Sequence, residues 1–135
     1  RLIMALIGNC IYHTSEPTGE TEEVEVTYPD GSVEMIEQPV YNQIETSYED
    51  IYVIITKIDT QHHYMFQEDG SYQKINVVFV DFAGYESQDT RNENPNEPLF
   101  SNVTQIVDYD FDQNTYSQGY EAIKLVNGMQ DLVND

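Results

Sequence analysis

Positive charge is what this chain lacks most. Arg1, Lys57, Lys74, Arg91 and Lys124 stand against 25 acidic residues, for a formal net charge of −20. Holding nucleic acid by its phosphates needs a lysine- and arginine-rich surface, so that activity is all but excluded. The partners left open are a basic protein surface, metal cations or none, and colloidal repulsion alone also accounts for such a balance. Cysteine is limited to Cys10, which excludes an internal disulfide and a cysteine-based zinc site. Long apolar runs are missing as well. Leu2–Ile7 is too short for a membrane span or a signal-peptide core, so no membrane partner is expected. Glycine-rich phosphate loops are absent too.

What is present argues for a folded domain. An apolar fraction of 39 % with 12 % aromatics is inconsistent with disorder. A chain of 135 residues buries roughly two-thirds of its unfolded surface, so a single domain spanning 1–135 is expected. Its centre is Tyr72–Phe82, YQKINVVFVDF, in which Ile75, Val77 and Phe79 fall on one strand face and Val78, Val80 and Phe82 on the other. Apolarity on both faces predicts a central strand covered on both sides. Ile51–Ile58 is its expected antiparallel partner, across a turn at Asp69-Gly70.

Towards the N-terminus, Leu2/Leu6 and Ile3/Ile7 are spaced i,i+4, as on a helix already under way, which ends near Gly8 or Asn9. Arg1 is not a start methionine, and residues upstream of it are expected. Residues 20–37 then predict a projecting acidic hairpin. Val24, Val26 and Tyr28 alternate with Glu23, Glu25 and Thr27, Pro29-Asp30-Gly31-Ser32 makes the turn, and Val33–Ile36 returns. Residues 84–99 are polar, with Pro95 and Pro98, and predict a flexible insertion that orders on contact with a neighbour. Asn102–Phe111 reads as a strand. Thr115 with Gln118 resembles a capping box opening an amphipathic helix, Tyr120–Val133. The predicted fold class is α+β: a mostly antiparallel sheet with an N-terminal and a C-terminal helix packed on one face, plus the hairpin.

No catalytic constellation emerges, and no cofactor is expected. Cys10 and His13 lie close in sequence but lack a third member. His62 and His63 point to opposite faces of a strand and cannot share a metal. The one candidate metal loop runs from Asp110 to Glu121, with oxygen donors at Asp110, Asp112, Asn114 and Glu121 in EF-hand spacing. Thr115 stands where that loop requires glycine, and the capping box explains the same residues, so no metal site is expected. The expected interaction residues are Glu22, Glu23, Glu25, Glu34 and Glu37 of the hairpin, with Arg91 and Asn94 of the insertion.

The order of elements resembles a known family. An apolar N-terminal helix and an acidic hairpin lead to Pro39-Val40-Tyr41-Asn42-Gln43, then Ile51-Tyr52-Val53-Ile54-Ile55, a long hairpin ending in Ile75–Phe82, and the helix Tyr120–Val133. This is similar to the tail-terminator and tail-completion (head–tail joining) proteins of tailed bacteriophages, where a PVYD segment precedes a PYIVI-like strand. Glu49-Asp50 stand here where that family often has proline. The resemblance implies a non-enzymatic virion protein, made in the host cytoplasm. Copies would form a homo-oligomeric ring, often six-fold, in contact with other tail or connector proteins. DNA would pass through the ring as unbound cargo. The alternative reading of the composition is an acidic DNA mimic that inhibits a nucleic-acid-binding enzyme.

Overall fold

In the computed structural model, which describes residues 4–106 and 109–135, the β-branched and aromatic stretches form long strands. They are β1 (Leu6–Thr27), β2 (Val33–Phe66) and β3 (Tyr72–Tyr85), followed by α1 (Gln88–Glu93), β4 (Phe100–Ile106), α2 (Thr115–Lys124) and β5 (Val133–Asn134). The sheet runs β4-β3-β2-β1-β5, and β2–β3, β3–β4 and β1–β5 are antiparallel. Asp-Gly-Ser sequences close the two long hairpins with the same chemistry. Asp30 accepts from the Ser32 amide at 2.9 Å and Asp69 from the Ser71 amide at 2.9 Å, while Gly31 and Gly70 take φ of 87° and 86°. The serine hydroxyls, and then their amides, hold both aspartate carboxyls below the usual range.

Ile51–Ile58 and Tyr72–Phe82 are neighbours as predicted, in register from Tyr52↔Tyr85 to Phe66↔Tyr72 with a bulge between Ile55 and Lys57. The expectation of cover on both faces is corrected. Val78, Val80 and Phe82 are fully buried, whereas Ile75, Val77 and Phe79 are half-buried. The core lies on the first face, where Val53, Ile55, Leu6 and Cys10 meet Tyr120, Ala122 and Ile123 of α2, and Met129 and Leu132 beyond it.

The α+β class with a helix at each end is also corrected: the chain is mostly one antiparallel sheet with two short helices. Leu6–Cys10, read as a helix end, is the start of β1, with Leu6 and Cys10 buried and Ile7 and Asn9 exposed. That is a strand's period of two. Residues 1–3 of the expected helix lie outside the described residues. Gly8 takes φ of 131°, and a Cβ there would sit 3.3 Å from the Asp131 carbonyl, so glycine admits the segment that closes the edge of β1. At the other end α2 stops at Lys124. Tight turns follow, with the Leu125 and Val126 amides bonded to the Ala122 and Ile123 carbonyls, and Gly128 adopts φ of 92°. This path brings Met129 and Leu132 into the core and leaves Leu125 83 % exposed. The strand predicted over Asn102–Phe111 is met by β4, Phe100–Ile106, only as far as Ile106; residues 107–108 fall outside the described ones, and Tyr109–Phe111 are not strand.

Two compact units divide the chain. One comprises Arg1–Tyr12 and Ser47–Asp135, and the other is His13–Thr46. The first holds the core. The second is the hairpin formed by the facing parts of β1 and β2.

Candidate interaction surfaces

Residues 13–46 carry nine carboxylates and neither lysine nor arginine. Strand alternation puts Glu23 and Glu25 on the face opposite Val24 and Val26, and the two valines are half-buried while the glutamates are exposed. Glu22, Glu34 and Glu37 are exposed as well. Cross-links within the hairpin are polar: the Tyr28 hydroxyl donates to Glu34 at 2.5 Å, the Thr18 hydroxyl to the Val40 carbonyl at 3.0 Å, and His13 Nδ1 lies 3.6 Å from Glu45. The Glu34 contact raises the Tyr28 hydroxyl's pKa. Apolar cover is partial, because Tyr28, Val33, Met35 and Tyr41 stay 42–55 % exposed. A two-stranded ribbon is marginal in water, so side chains of this kind gain most from a surface that covers them.

Arg91 and Asn94 are placed by α1. Ser87 caps the helix by accepting from the Thr90 amide at 3.1 Å, Arg91 sits in its last turn, and Asn94 is the C-cap. Arg91 also lines a shallow cavity of about 310 Å³ with Met4, Ile54, Ile55, Asn114, Tyr116 and Tyr120. The segment read as a flexible insertion thus contains an ordered helical turn, and it is pinned at Pro95, whose carbonyl accepts from the Tyr85 hydroxyl at 2.6 Å.

Three of the four oxygen donors of the Asp110–Glu121 loop, Asp110, Asn114 and Glu121, are engaged separately. Asp110 accepts from the Asp112 amide at 2.9 Å, Asn114 is the N-cap of α2 and accepts from the Ser117 amide at 2.9 Å, and Glu121 pairs with Lys124 at 2.7 Å. The cap is therefore Asn114 rather than Thr115. Gln118 serves elsewhere, clasping the Asp110 backbone through its amide and carbonyl contacts of 2.7 and 2.9 Å.

Sequence reasoning missed a second surface. Tyr64 and Tyr72 lie in strands yet are 66 % and 69 % exposed, as is Phe66 at 67 %. The described pairing of β4 with β3 ends at Val78↔Ile106, whereas β2 and β3 run on together to Phe66↔Tyr72. The available signal was the Asp69-Gly70 turn. It sets Phe66 and Tyr72 at the hairpin's tip, beyond the reach of any short element. Among the described residues no helix is long and apolar enough to cross a membrane, and no group of three or more His, Cys, Asp or Glu residues is placed to hold a metal ion. No family model matches this chain, nor does any curated protein or solved structure.

Proposed function

We propose that the chain is a structural virion protein of the tail-terminator or head–tail connector kind, a subunit of a homo-oligomeric ring through which DNA passes without being held. The observation that carries this reading is the His13–Thr46 hairpin, uniformly anionic yet exposing Tyr28, Val33, Met35 and Tyr41. Side chains of that kind call for burial against protein, while the carboxylates repel the phosphates of a passing duplex. Charge also sets when assembly happens. Subunits of net −20 repel one another, so rings form weakly in dilute salt and better where screening confines the repulsion to about 8–10 Å.

Light scattering across a salt series, followed by electron microscopy of the assembled particle, tests the proposal. The expected result is a monomer at low salt and a closed ring in the particle. A 1:1 complex with a nucleic-acid enzyme, carboxylates seated in its basic groove, overturns the ring and establishes the DNA-mimic alternative.

A further inference from the structure

The end of the β2–β3 ribbon gathers three exposed aromatic rings, Tyr64, Phe66 and Tyr72, on one of its two faces. The register pairs His62 with Asn76, Tyr64 with Lys74 and Phe66 with Tyr72, so all six side chains share one face. That face continues the one that buries Val78 and Val80 and half-buries Ile58 further in, because Ile58 lies opposite Val80 and Thr60 opposite Val78. Past that point it emerges into solvent, where Tyr64, Phe66 and Tyr72 stand beside the polar His62, Lys74 and Asn76. Phe66 and Tyr72 meet edge to face with centroids 5.4 Å apart. From Thr60 to Phe66 and from Tyr72 to Val78 the face carries no carboxylate, in a chain that has 25. The nearby acids are elsewhere: Asp59 points to the opposite face, and Glu68 and Asp69 are in the turn. The face offers one cation, Lys74, and the His62 ring, whose Nδ1 lies 2.6 Å from Asn76 Oδ1, around three exposed rings.

We infer that this aromatic face docks on the acidic His13–Thr46 hairpin of a second copy of the chain. The inference rests on the ring reading and specifies its contact. Charge selects the occupant. A partner for rings flanked by Lys74 and His62 should be anionic and should itself present apolar side chains. Residues 13–46 have nine carboxylates, no lysine or arginine, and exposed Tyr28, Val33, Met35 and Tyr41. Nucleic acid is a poor occupant, since a single lysine on a molecule of net −20 neutralises too few phosphates. The two patches differ, so the contact is head-to-tail, and repetition of such a contact generates rings where the rotation closes. Its size fits weak pairing. Three aromatic side chains of roughly 150–250 Å² each, about two-thirds exposed, offer roughly 300–500 Å². A standard interface takes roughly 800 Å² from each partner. One contact alone holds loosely, and ring closure supplies the remainder through effective concentration.

Photo-cross-linking tests the contact. Tyr64→p-benzoylphenylalanine is placed in the full chain, isotopically labelled and unlabelled protein are mixed across the salt series, and adducts are mapped by mass spectrometry. The expected result is adducts between position 64 of one copy and residues 20–41 of a differently labelled copy. Adducts to another segment of a second copy overturn the contact and leave the ring reading standing. No adduct between copies where light scattering shows association overturns the contact, and a protein monomeric at every salt that also forms no ring in the particle overturns both. In parallel, the double variant Phe66→Ser/Tyr72→Ser should weaken self-association at least tenfold with little change in melting temperature, since both side chains are exposed. An unchanged association constant overturns the inference.

Discussion

Removing one oxygen atom, in Tyr120→Phe, should measure how the bulge in β2 is held. The Tyr120 hydroxyl accepts from the Ile55 amide at 3.2 Å and donates to the Met4 carbonyl at 2.9 Å, while its ring is 2 % exposed in the core. Burial raises the pKa of the hydroxyl, so it is neutral and able to donate. Phenylalanine keeps the ring's packing and deletes both bonds. The Ile55 amide, at a register break inside the core, loses its partner there, at a cost of about 1–3 kcal/mol. The Met4 carbonyl belongs to an exposed residue and can turn to water, which limits that loss to about 0.5–1 kcal/mol. The sum is about 1.5–4 kcal/mol, or a fall in Tm of roughly 5–14 °C for a chain of this length. Urea unfolding of the variant beside Tyr116→Phe, whose side chain is exposed, gives the comparison. A loss below about 0.5 kcal/mol for Tyr120→Phe would refute the idea that this hydroxyl secures the bulge.

Two glycines should respond differently to alanine in thermal melts. A Cβ on Gly84 runs into the Phe100 ring, which Tyr12 and Tyr48 hold at centroid distances of 4.9 and 5.5 Å, so Gly84→Ala should cost about 3 kcal/mol. On Gly119 the Cβ meets the Ile55 Cδ1 methyl at 2.7 Å, which can rotate away, and alanine favours helix α2 by about 1 kcal/mol, so Gly119→Ala should be close to neutral. Cys10 gives a chemical readout. Burial pushes its thiol from 9.0 up to about 11, so native protein at pH 8 should alkylate about a hundredfold more slowly than an ordinary thiol on thiolate fraction alone. Because the folded value is the higher one, this group's contribution to stability is complete below pH 9 and is lost as pH rises towards 11. Cys10→Ala should flatten that part of the alkaline unfolding curve, and an unchanged curve would reject the assignment.

The parts of the fold legible in the sequence are those set by local chemistry. The β2–β3 hairpin follows from Asp69-Gly70 and the runs on either side, and the acidic hairpin from Asp30-Gly31. Leu6, Ile7 and Cys10 read as helical, and wrongly, because a short apolar stretch satisfies both helical and strand spacing. The deciding factor is β5, whose Val133 and Asn134 pair with Ile7 and Leu6 across the whole chain. Met129 and Leu132 misled for the opposite reason. They sit at helical intervals but reach the core through turns around Gly128, a residue that costs only about 1 kcal/mol if read as helical. Among the candidate interaction residues, the glutamates announced themselves by number. The exposure of Tyr64, Phe66 and Tyr72 did not, because their alternation matches that of packed strand residues, and only the Asp69-Gly70 turn signals that they lie at a hairpin tip.

The closure of β1 by β5 bears on how the chain is made. The Asp135 amide donates to the Ala5 carbonyl at 3.1 Å, beside the Leu6↔Asn134 pair. During translation, at roughly 5–20 residues per second, both long hairpins can zip as soon as their own turns leave the ribosome, but the outer edge of β1 stays bare until residues 133–135 emerge. For those seconds Leu6 and Cys10 lack Met129 and Leu132. Nascent chains sharing a polysome would meet one another in this open-edged state, each carrying the same large negative charge. The acidity that governs the finished surface would then also keep half-made neighbours apart.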